Sequence, residues 1–167
     1  MRSPRSAPAR RGSIVRGLVA ARATETPAPA PVRIDHQRRF GTLGVRHVDA
    51  GSCNGCEVEI ANAFGPVYDA GRHGAHLVAS PRHADALVVT GVVSANMEGP
   101  LRRTREAVPE PSVVIACGDC AVDGGLFVDA YAVIGPLDAV MDVTARVPGC
   151  PPHPREIVAA LRAFTGR

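Results

Sequence analysis

Five cysteines carry most of the reactive chemistry in this sequence: Cys53, Cys56, Cys117, Cys120 and Cys150. They fall in three groups. The first is Gly51-Ser52-Cys53-Asn54-Gly55-Cys56, the second is Cys117-Gly118-Asp119-Cys120 followed by Gly124-Gly125, and the third is Gly149-Cys150-Pro151-Pro152. Thiolates are soft metal ligands, and four of them satisfy either a cubane iron–sulfur cluster or a structural zinc ion. A Cys-x-x-Cys pair alone also suits dithiol redox exchange, and an inert thiol can simply fill a core. Spacing favours the cluster. Zinc knuckles use close pairs in small modules, whereas about sixty residues separate these two pairs, and zinc on the pairs would leave Cys150 and its prolines without a role. On residue types alone all four chemistries stay open.

The elements around the cysteines say how they are positioned. From residue 40 onward short β-branched runs recur, at Leu43–Val48, His76–Ala79, Ala86–Val93, Ser112–Ala116 and Tyr131–Ile134. Several are apolar throughout, as in strands covered on both faces of a parallel sheet. Helical patterns lie between them, at Glu57–Phe64, Pro100–Val108 and from Pro154 to Phe164, the last with Ile157, Val158, Leu161 and Phe164 at helical spacing. Strand–helix alternation predicts a three-layer α/β/α sandwich with a mostly parallel sheet. Cys53 and Cys56 then sit in a strand-to-helix turn, where amide N–H groups and the helix dipole favour an anionic group. The three cysteine loops can meet at the carboxyl edge of the sheet.

Composition bounds the rest. The chain has 167 residues, with 46% hydrophobic, 4% aromatic and no Trp, so its core must be built from Val, Ala, Leu and Ile. Residues 1–39 hold nine Arg against Glu25 and Asp35, while residues 40–167 hold ten Arg against fourteen acids. Residues 1–38 read as a basic Pro/Ala/Arg-rich tail, partly disordered, and residues 39–167 as the cysteine-bearing domain. Within the tail, Ser13–Arg22 has the pattern of a short amphipathic helix, suited to an anionic membrane surface or a partner subunit. An Arg-rich start also has the character of a transit peptide. No secretory signal and no apolar run of about 18 residues is present, so a reducing compartment is expected. The tail lacks interleaved aromatics, which argues against nucleic-acid stacking. No Gly-x-x-x-x-Gly-Lys loop, dinucleotide fingerprint or nucleophile elbow occurs.

Taken together, four stretches resemble the small-subunit family shared by [NiFe]-hydrogenases and respiratory NADH–quinone oxidoreductases. They are Cys53-Asn54-Gly55-Cys56-Glu57-Val58-Glu59-Ile60, Ser80-Pro81-Arg82-His83 running to Gly91, Gly118-Asp119-Cys120-Ala121 with Gly124-Gly125, and Pro148-Gly149-Cys150-Pro151-Pro152. The Cys-x-x-Cys form, with its Asn54-Gly55 and Glu-Val-Glu-Ile continuation, looks most like the membrane-bound, energy-converting hydrogenase and formate hydrogenlyase branch.

The resemblance implies a flavodoxin-like domain and one [4Fe–4S] cluster held by Cys53, Cys56, Cys120 and Cys150. Cys117 falls at an apolar strand position and reads as a buried thiol. The resemblance further implies an oxidoreductase subunit that transfers electrons without catalysing the reaction itself. Its partners would be a large catalytic hydrogenase-like subunit, a ferredoxin-like iron–sulfur subunit and membrane subunits, on the cytoplasmic face of the cell membrane. Glu59, Arg82, Gly118 and Gly124 are expected beside the cluster, with Glu59 a candidate for a proton-linked role and Arg82 for a bond to sulfur or to a partner carboxylate. A different reading keeps the cysteines but makes the chain a zinc-stabilised interaction module. His73 and His76, at i, i+3 spacing with no matched carboxylate motif, read as surface residues.

Overall fold

The structure is a computed structural model that describes residues 41–167. The tail of residues 1–38, with the helix expected at Ser13–Arg22, lies outside the described residues. The chain forms β1 (Leu43–Asp49), α1 (Gly55–Phe64), β2 (Ala75–Leu77), β3 (Ala86–Thr90), β4 (Val93–Ser94) and α2 (Ala95–Ala107). It continues through β5 (Val113–Cys117), α3 (Asp119–Asp123), β6 (Val133–Gly135), β7 (Ala145–Val147) and α4 (Pro154–Thr165).

Five strands make one parallel sheet in the order β2-β1-β3-β5-β7. This is the flavodoxin-like doubly wound order, with its reversal beside β1. Alternate residues of each strand enter opposite cores. Val45, Val88, Ile115 and Val147 pack under α1 and α4 with Ile60, Ile157, Leu161 and Phe164. Leu87, Val89, Val114 and Ala116 pack on the other face with Leu101 of α2 and Ala121 of α3. Helices therefore cover both faces, and the three-layer expectation holds.

Local differences have local causes. The run Ala86–Val93 is two strands, because Gly91 at φ 77° turns the chain between them. A side chain at Gly91 would lie 2.4 Å from the Ser52 amide nitrogen, so this turn seats the loop after β3 against the Cys53 loop. The anticipated strand Tyr131–Ile134 is β6, paired antiparallel with β4 in a separate two-stranded sheet. Helix α2 begins at Ala95 and carries Pro100 in its interior. Pro is favoured at a first helical position, which made Pro100 look like a start. At α4, the His153 ring accepts from the Arg155 amide while Glu156 accepts from the His153 amide, which caps the helix at both positions.

Candidate functional site

All three cysteine loops leave carboxyl ends of parallel strands. Cys53 and Cys56 follow β1, Cys120 follows β5, and Cys150 follows β7. The loops are shaped by side-chain to backbone bonds. Asp49 Oδ1 accepts from the amides of Gly51 (2.8 Å) and Ser52 (2.7 Å), and Ser52 Oγ accepts from the Asn54 amide. Asn54 stands in the left-handed region, and α1 starts at the next residue. On the other side, the Asp119 amide donates to the Gly149 carbonyl at 2.8 Å, and the Gly149 amide returns a 2.6 Å bond to Asp119 Oδ1. The Gly118 amide also bonds the Val147 carbonyl. Asp119 thus ties the Cys120 and Cys150 loops together.

Close approach needs glycine at two points. Gly118 has φ 90°, and a side chain there would lie 2.5 Å from Cys56 Sγ. One at Gly125 would lie 3.3 Å from Cys120 Sγ, a contact the sequence alone did not single out. Gly124 serves the backbone instead, closing α3 in the left-handed region against Val128.

The thiols share one electrostatic neighbourhood. Burial, then Glu57, then Cys120, Cys53 and Cys150 push the Cys56 thiol up to about 12. Burial raises Cys120 too, followed by Cys150, Cys53, Asp119 and Asp123. Cys117 is fully buried in the core, and burial raises its thiol, with Cys56 the one cysteine whose charge acts on it. Among the described residues, no three Cys, His, Asp or Glu side chains are grouped to hold a single metal ion. The donor set suits a larger anionic inorganic group. It offers four thiols on three loops at one rim, two of those loops tied through Asp119, with the N-terminus of α1 at Cys56 and glycine at 118 where a side chain would strike sulfur.

Other expected residues divide. Glu59 is half-buried and accepts from Asn62 Nδ2 at 3.3 Å. It faces a hollow of about 390 Å³ lined by Pro151, Pro152 and His153. Arg82 is not brought to the cysteines. It lies in a short turn, Pro81–His83, before β3, at the sheet edge opposite the thiols.

The acid that is built into this region is Glu57. Its Oε2 accepts from Ser52 Oγ at 2.6 Å, and its Oε1 bonds Thr90 Oγ1 and lies 3.5 Å from His47 Nε2. His47 Nε2 is 2.9 Å from Thr90 Oγ1, and Thr90 is fully buried. Burial holds His47 below its usual value, against the pull of Glu57 and Asp49.

A five-stranded parallel sheet in doubly wound order, with three cysteine loops at its carboxyl edge, defines an α/β domain of the flavodoxin-like class. Residues 53–164 match the family of the NADH ubiquinone oxidoreductase 20 Kd subunit, and the chain belongs to that family of oxidoreductase subunits. It is 46% identical over 114 residues to a probable membrane-bound hydrogenase subunit of Pyrococcus furiosus, covering 68% of each chain. It is 46% identical over 110 residues to formate hydrogenlyase subunit 7 of Escherichia coli, covering 66% of this chain and 43% of that one. The chain therefore spans under half of the latter relative. Among solved structures it resembles a chain of an archaeal respiratory complex, the membrane-bound sulfane sulfur reductase. The TM-score there is 0.66 at 29% identity, with 75% of this chain and 70% of that chain covered. Among the described residues, no helix is long and apolar enough to cross a membrane.

Proposed function

We propose that this chain holds one [4Fe–4S] cluster on Cys53, Cys56, Cys120 and Cys150, and relays electrons as a non-catalytic subunit of a hydrogenase-like or quinone-oxidoreductase-like complex. The observation that carries the reading is that the loops bearing Cys53, Cys56, Cys120 and Cys150 all leave the carboxyl rim of one parallel sheet. The family match, which includes all four positions, supports it. A cluster of this kind supplies one-electron storage. The chain's own residues do the rest. Cys53 and Cys150 stand exposed and Cys56 buried, which sets a boundary between solvent and core across the site. The amide end of α1 lies at Cys56, where its dipole favours an anionic group.

The partners on this reading are a large catalytic hydrogenase-like subunit, a ferredoxin-like subunit and membrane subunits, with this chain peripheral on the cytoplasmic face. The relatives' membrane-bound complexes support that placement. Full-length protein reconstituted without oxygen should be brown, carry about four irons and give a [4Fe–4S] EPR signal on reduction. Cys120→Ser and Cys150→Ser should each lose most of that signal, whereas Cys117→Ser should keep it. A full signal in either of the first two variants defeats the ligand assignment. Colourless protein with one zinc instead identifies the zinc-stabilised module.

A further inference from the structure

We infer that Glu57, clamped by Ser52, Thr90 and His47, is a fixed negative charge that sets the reduction potential of the cysteine site. This rests on the cluster reading above. Three partners from three different segments hold one carboxylate. Ser52 comes from the cysteine loop, Thr90 from the end of β3 and His47 from β1. Such a clamp fixes the direction of the charge, because a carboxylate with both oxygens engaged cannot swing into solvent.

The charge is also uncancelled. Among the described residues its one ion-pair partner is His47. Burial disfavours the cationic form of that ring, and the neighbouring Arg46 works in the same direction, against Glu57 and Asp49. Glu57 follows Cys56 directly in the chain and bonds Ser52 of the same cysteine loop. Adding one electron to a group ringed by thiolates adds negative charge. A fixed anion in a partly buried site opposes that step and lowers the potential.

The test is an EPR-monitored redox titration of the full-length reconstituted protein. Glu57→Gln keeps the side chain's shape and one accepting oxygen, and removes the charge. It should raise the equilibrium constant for one-electron reduction roughly tenfold, a shift of about 59 mV upward. Thr90→Val keeps the charge but releases one clamp, and should shift the potential less in the same direction. Glu59→Gln, which removes an acid from the same helix outside the Ser52–Thr90–His47 clamp, should leave it in place. A Glu57→Gln protein with an intact signal at the wild-type potential overturns the inference, as does an equal shift in Glu59→Gln. If Glu57→Gln takes up no iron, Thr90→Val decides, and an unmoved potential there overturns it. A wild-type chain that takes up no iron overturns the underlying reading and this one together, an outcome told apart by iron content alone.

Discussion

His47 shows how a single side chain couples this site to proton concentration. Its folded-state affinity for a proton lies below the ordinary 6.5, chiefly through burial. The unfolded chain therefore binds the proton more readily. Stability contributed by neutral His47 is present above about pH 6.5 and is lost as pH falls through the folded value. Urea unfolding of metal-free protein between about pH 7.5 and about pH 5 should show this decline, and His47→Gln should flatten it. An unchanged slope would assign the decline to other groups. The partners of this histidine were not legible in sequence. The motif pointed to Glu59, whereas Glu57 is the acid that is held. Its contacts reach back to β1 and across to β3, and no local pattern reports such pairings. One signal was present: a polar Thr90 ending an otherwise apolar strand is the kind of buried polar residue that needs a partner.

Between elements, the bonds from Asp119 join the loop after β5 to the loop after β7. Its carboxylate is the acceptor for the Gly149 amide, a part-buried bond across 30 residues of sequence. Asp119→Ala should leave that amide without its acceptor and cost about 1–3 kcal/mol of unfolding free energy, with Asp119→Asn recovering part of it. Denaturant midpoints for the two variants check this, and midpoints equal to wild type would show that the tie contributes nothing. Some elements were readable and some were not, for physical reasons. The sheet's centre, β3 and β5, announced itself as apolar runs because both faces are covered, whereas β1 carries Arg46, His47 and Asp49 in its less buried second half. The edge strand β7 is three residues long with an exposed Arg146 in the middle, so it left no run to find. Helix α3 is only five residues, set by the cysteine loop geometry rather than by periodicity.

For the molecule as a whole, stability rests on the α1/α4 face of the sheet. Phe164 is 1% exposed in a cluster that otherwise holds mostly aliphatic side chains. Phe164→Ala should cost about 3–5 kcal/mol, read from chemical unfolding, and a loss below about 1 kcal/mol would place the folding core elsewhere. The doubly wound class was legible because strand–helix alternation leaves few other arrangements. The split of the chain into two sheets was not, since it turns on one glycine and a two-residue strand. The parallel sheet has a further consequence. Strands β1, β5 and β7 deliver their cysteine loops to the same rim, while α4 runs back across the face and leaves Arg167 beside Gly74, just before β2 begins. A strand of five to seven residues separates the two rims by about 17–23 Å. A surface tether attached at Arg167 would therefore turn the sulfur-bearing rim outward, which suits oriented display of this protein on an electrode.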